Sequence, residues 1–222
     1  MFSNISFWYS AFPEIKKKWK LIFIFIVLGF PGNLKGADVE VWTFAGFEKE
    51  WKNANLSFQN ANYFTDQPAW YLNNTQITFD LQTIKNVYFG VGYKQEYVKL
   101  TDRMRKEYRP ILRLLYQKSM DDFMFVERNT LEFRYIENEW INRYRNQLML
   151  LYKKQKNFTP YISTEFFFNV KDFGYSRQRT LLGAFIPIKK ISLNLFVAHQ
   201  ISELQPRWSE KIMLGTGLNY NF

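Results

Sequence analysis

The sequence predicts an all-β chain, a transmembrane antiparallel up-and-down β-barrel of ten to twelve strands. The last twelve residues carry the first observation. From Lys211 to Phe222, one face takes Ile212, Leu214, Thr216, Leu218, Tyr220 and Phe222, while the other takes Met213, Gly215, Gly217, Asn219 and Asn221. A strand with one apolar face that alternates to a terminal aromatic residue suits a barrel wall bathed in lipid. Composition supplies the second observation. Aromatic residues make up 20% of the chain, well above ordinary usage and in keeping with the rings of aromatic side chains at membrane interfaces. Third, hydrophobic residues reach 47% although mean hydropathy is only −0.33, so apolar residues are interspersed with polar ones. A soluble sandwich is the competing reading. It has no wet place for arginines that alternate with apolar residues along strand after strand.

The beginning of the chain reads differently. Lys16-Lys17-Lys18-Trp19-Lys20 precedes the apolar run Leu21 to Phe30, and Leu34-Lys35-Gly36-Ala37 follows. Ten apolar residues are too few for a membrane-spanning helix, which needs about 20. A basic, then apolar, then small-residue order is that of a secretory signal peptide, so residues 1–36 are expected to be removed, leaving 37–222 as the barrel. Five lysines and one glutamate leave with it, which lowers the net charge from +10 to +6. The remaining basic residues form no block interleaved with aromatics, and nucleic acid is not an expected partner. The chain has no cysteine, which excludes disulfides, thiol nucleophiles and thiolate metal sites.

Taken in order, alternation recurs at 38–51, 56–64, 69–81, 87–98, 108–116, 128–136, 142–152 and 161–170. It continues through a hairpin around Lys189-Lys190 and the terminal strand. A two-residue turn at Lys189-Lys190 pairs Ile188 with Ile191, Ile186 with Leu193, Leu182 with Val197 and Thr180 with His199. One face of the hairpin is then apolar along most of its length. Short links are expected near 52–55, 84–86, 118–122, 153–157 and 189–190, with longer loops near 65–69, 99–106, 137–141, 171–177 and 203–210. The segments number eleven. Single-chain bacterial barrels use an even number of strands, so the expectation is ten, with 38–51 not forming an ordinary wall strand, or twelve.

The laid-out strands resemble the DUF-2490 family of small outer-membrane barrels known mainly from Bacteroidota. The resemblance rests on Val41-Trp42-Thr43-Phe44-Ala45-Gly46-Phe47-Glu48-Lys49, on Asn129-Thr130-Leu131-Glu132-Phe133-Arg134-Tyr135 and on Asn142-Arg143-Tyr144-Arg145-Asn146-Gln147-Leu148. It continues through Pro160-Tyr161-Ile162-Ser163-Thr164-Glu165-Phe166-Phe167-Phe168 and the terminal strand. The last strand also resembles the C-terminal insertion signal of outer-membrane proteins, carried here by Leu214, Leu218, Tyr220 and Phe222. The resemblance implies an architecture and an uncharacterised function, with no catalytic residues to carry over.

The candidate functional residues are those whose parity points them inward: Lys94, Glu96, Arg109, Arg113, Arg128, Glu132, Arg134, Arg143, Arg145, Glu165, Arg177 and Arg179. Cations outnumber acids in this set, so a water-filled lumen would favour anions and the chain would be a small porin-like channel. Alternatively, Glu132 and Glu165 cross-link Arg134, Arg143 and Arg145 into a network that fills the barrel. The chain would then be a non-conducting scaffold or accessory subunit among other envelope proteins. In either case its partners are outer-membrane lipid and the machinery that inserts barrels. His199, the one histidine, faces outward beside Thr180 with no serine opposite it and no outward carboxylate expected to orient its ring, so no enzymatic activity is expected. No metal or cofactor is expected either.

Overall fold

The computed structural model describes residues 38–65, 70–155, 157–171, 174–204 and 207–222. Alternation turns into eleven strands: β1 (Asp38–Glu50), β2 (Ala54–Phe64), β3 (Trp70–Ile84), β4 (Val87–Lys99), β5 (Met104–Met120), β6 (Phe123–Ile136), β7 (Glu139–Tyr152), β8 (Thr159–Asn169), β9 (Tyr175–Ile188), β10 (Ile191–Leu204) and β11 (Arg207–Asn221). Each pairs antiparallel with its sequence neighbour, and β1 closes on β11 to complete a barrel. Residues 1–36, read as a signal peptide, lie outside the described residues.

Closure departs from the even-strand expectation. Residues 38–51 do form a wall strand, and no twelfth strand is needed, because β1 pairs antiparallel with β2 and parallel with β11 from Asp38↔Lys211 to Glu48↔Asn221. Its alternation directs Glu40, Trp42, Phe44 and Glu48 inward, so it serves as wall like any other strand. The parallel ladder satisfies the two edges that an odd count leaves over. Phe222 extends this seam, its N–H donating to the Glu48 carbonyl at 3.0 Å. Asp38 therefore starts at the rim opposite the one where the chain ends.

The β9–β10 hairpin has the register expected from its pattern, from Ile188↔Ile191 through Thr180↔His199 to Arg179↔Gln200. Lys189 enters the turn at φ 57°, and positive φ also occurs at Asn86, Asp121, Glu137 and Asn138. Consecutive positive values at Glu137 and Asn138 mark the tight turn whose twist matches a hairpin. The loops expected near 99–106 and 137–141 are consequently shorter, at 100–103 and 137–138. Charged residues there continue the ladder: Glu107 points into the barrel, and Lys106 lies over the Tyr97 ring, 5.9 Å from its centroid.

The outer wall is apolar through its middle, where Ile77, Phe79, Leu81, Phe89, Val91, Leu112, Leu114, Leu150, Ile162, Leu182, Leu214 and Leu218 are exposed. Aromatic pairs flank this band. At the end where the chain stops are Phe47–Phe58, Phe47–Phe222, Tyr220–Phe222 and Phe123–Tyr152. At the other are Tyr135–Trp140, Tyr144–Phe168 and Tyr175–Trp208. One outward cluster is polar and supplies its own partners. The Glu127 carboxylate accepts from Asn129 at 3.1 Å and Asn146 at 3.2 Å, and Asn146 also donates to Asn129 at 2.9 Å.

Inside, Trp42, Met149, Leu151, Tyr161, Phe185, Phe196, Ala198 and Met213 form the buried apolar cluster. Glycine on the inner face makes it fit. The Phe196 ring lies over Gly215, where a Cβ would come within 1.9 Å of a ring carbon. At Gly90, the missing Cβ leaves the space that the Asp80 carboxylate occupies.

Candidate functional site

Parity on β4 to β9 aims a series of charged side chains at the barrel axis, and neighbouring strands bring them within ion-pair distance. Glu132 on β6 is the hub. Its carboxylate has no exposed surface and accepts from Arg143 Nη2 at 2.5 Å, Arg143 Nε at 2.9 Å and Arg145 Nη1 at 2.5 Å, with Arg109 at 3.8 Å. Arg145 also donates to Glu165, which accepts from Arg179 at 3.1 Å. On the other side of the hub, Arg109 donates to Glu96 at 2.7 Å and to Glu107 at 2.5 Å. Glu96 pairs with Lys94 at 3.3 Å, and Glu107 accepts from Arg134. Arg113 is clamped separately by Asp80 and Thr78. Arg128 donates to Gln147 at 3.2 Å.

Phe167 on β8 sits under this network. The guanidinium groups of Arg143, Arg145, Arg177 and Arg179 lie 5.1–5.4 Å from its ring centroid, within cation–π range. Seven cations (Lys94, Arg109, Arg134, Arg143, Arg145, Arg177 and Arg179) thus share one cluster with four carboxylates (Glu96, Glu107, Glu132 and Glu165). The excess is three positive charges.

The wall opposite is aromatic. Trp42 packs edge-on against Tyr63 at 4.6 Å, Phe44 at 6.2 Å and Phe196 at 6.3 Å. Glu40 accepts from the Trp42 indole at 3.0 Å, the Tyr71 hydroxyl at 2.6 Å and Lys211 at 2.7 Å, and so orients the ring. The cationic and aromatic walls meet where the Arg179 guanidinium stacks 4.5 Å from the Trp42 ring, held by two hydrogen bonds to Gln200. Between them lies a cavity of about 360 Å³ lined by residues of both walls.

All twelve side chains read as inward-facing lie on the inner face, and ten of them line the cavity. Glu132 and Arg134 are held in the network behind them.

The model of the family described as a protein of unknown function, DUF2490, matches residues 41–211. The chain belongs to this family. No curated protein matches the sequence. Among solved structures, the DUF2490 chain is similar to outer-membrane expressed OmpT of Vibrio cholerae, at 10% identity and a TM-score of 0.41, covering 67% of this chain and 55% of that one. This chain spans about half the length of that protein.

Sequence reasoning did not find Asp80, Glu107, Glu40 or Lys211 as interior charges, nor the inner aromatic wall. Parity would have found them: Asp80 shares a face with Asn74, Gln76 and Thr78, and Glu40 shares one with Trp42 and Phe44. His199 faces outward opposite Thr180 as read, but an outward carboxylate does reach it. Glu210 Oε2 lies 3.4 Å from its Nε2, placed there diagonally across the β10–β11 ladder. Among the described residues, no group of three or more His, Asp or Glu is placed to hold a metal ion.

Proposed function

We propose that the chain is a barrel of the bacterial outer membrane, exported with loss of residues 1–36, whose constricted lumen passes small anions in preference to cations. The observation that carries this reading is the seven-to-four excess of cations over carboxylates in the interior network, four of whose arginines lie over Phe167, beside a cavity inside a barrel with an apolar outer band. Rings of Arg select for anions, and a low-dielectric wall strengthens the field. The contact of Arg179 with Trp42 argues for a narrow path rather than a general diffusion pore. Flanking aromatic pairs and the alternating apolar face of β11 support insertion in lipid by the barrel-insertion machinery.

The experiment is flux from liposomes loaded with purified, refolded residues 37–222. Chloride is expected to exchange faster than potassium, with sucrose retained. Equal release of all three would contradict a selective, narrow lumen. A second reading, a non-conducting scaffold for other envelope proteins, is favoured by the complete burial of Glu132 and Glu107. Retention of every solute by a folded barrel would support it.

A further inference from the structure

The chamber has two chemically different sides, and an inorganic anion would use only one. The cationic side presents Arg177 and Arg179 above Phe167, and the opposite side presents Trp42, Phe44, Tyr63 and Phe196. We propose that the lumen is a binding site for small aromatic anions, one- or two-ring carboxylates or sulfonates, with the acid group toward the arginines and the ring against the Trp42 wall. This deepens the anion-preferring reading and rests on it for the site.

Three features carry the step from anion to aromatic anion. Edge-to-face packing leaves the wall rings angled to one another, with interplanar angles of 69° to 76° at Trp42, an arrangement that accepts a further ring by offset or edge contact. The cavity volume of about 360 Å³ is at the lower end of small-molecule sites, which run from about 300 to 1,000 Å³. Asn74, Gln147 and Asn194 add neutral amide groups to the lining, each fixed in orientation by a protein partner, Tyr63, Ser163 and Tyr161. Arg177 supplies the acid contact: among the described residues no carboxylate lies within ion-pair distance of it, whereas Arg143 and Arg179 each hold one and Arg145 holds two.

Calorimetric titration of the refolded barrel with 1-naphthoate, acetate and 1-naphthalenemethanol tests the proposal. Naphthoate, carrying both ring and charge, should bind at least about tenfold more tightly than either probe that lacks one of them, a difference of about 1.4 kcal/mol. Trp42→Leu should lower naphthoate affinity by a larger factor than acetate affinity, and Arg177→Gln should weaken both anions. Should Trp42→Leu fail to fold, Phe44→Leu removes a ring from the same wall. Equal affinity for all three probes, no binding of any, or undiminished naphthoate binding in the folded variants would overturn the proposal. Anion-selective flux without naphthoate preference would remove this inference and leave the pore reading intact. Naphthoate binding by a barrel that conducts nothing would do the reverse.

Discussion

Replacing Glu132 with Gln keeps the shape of the side chain and removes one charge, at the point where the interior network is most crowded. Each carboxylate oxygen already accepts from a guanidinium, Oε2 from Arg143 at 2.5 Å and Oε1 from Arg145 at 2.5 Å. Whichever way the amide turns, its NH₂ meets another donor, and one Arg loses its acceptor at a position with no exposed surface. Breaking a buried pair on one side costs about 3–5 kcal/mol, because the remaining charge stays buried without compensation. That loss corresponds to at least a hundredfold in the folding equilibrium, at about 1.4 kcal/mol per factor of ten. Equilibrium urea unfolding in lipid vesicles, followed by tryptophan fluorescence, reads it directly. Arg103→Ala is the internal control. It breaks the Arg103–Glu137 pair, whose side chains are 62% and 47% exposed, and should cost no more than about 1 kcal/mol. If Glu132→Gln shifts the midpoint no further than Arg103→Ala does, the buried network does not hold the barrel together as described.

Other outcomes follow from the same geometry. Thr43→Cys combined with Thr216→Cys, paired across β1 and β11 in a chain that has no cysteine, should form a disulfide on oxidation, readable as resistance to separation after cleavage in a loop; absence of the bond would contradict parallel closure. Gly215→Ala puts a methyl group into the Phe196 ring and should destabilise by about 1–3 kcal/mol in the same urea assay. Phe222→Ala removes ring contacts to Phe47 and Tyr220 and should cost about 0.5–1.5 kcal/mol per lost pair in vitro, while lowering the amount assembled in cells much more. Mass spectrometry of the protein from envelopes should find an N-terminus near Ala37 or Asp38, and recovery of residues 1–36 would contradict export by signal cleavage.

Most of the wall was legible in the sequence, because a barrel that is apolar outside and polar inside writes its register into period two. The β9–β10 hairpin is the clearest case, since both its strands carry the pattern up to a two-residue turn. What failed had physical causes. The even-strand expectation assumed antiparallel closure, and nothing in the alternation of 38–50 says whether its free edge will meet β11 running parallel. Glu107 was missed because it falls between the loop expected near 99–106 and the alternation that begins at 108, yet in the closed barrel its carboxylate faces Arg109 and Arg134. Aromatic residues were assigned to lipid, although Trp42, Phe44, Tyr63 and Phe196 converge inside from three strands. The inward direction of each charged residue could be read locally. The partner that neutralises it came from an adjacent strand, as with Glu132 and Arg143, or from one two strands away, as with Arg113 on β5 and Asp80 on β3.

The most direct test of the central claim is the reversal potential of single channels in a planar bilayer under a salt gradient, for residues 37–222 and for Arg179→Ala. Small steps with a reversal potential on the anion side are predicted, together with larger steps when Arg179 no longer stacks on Trp42. A reversal potential on the cation side, or silence from both folded proteins, would contradict an anion-preferring lumen.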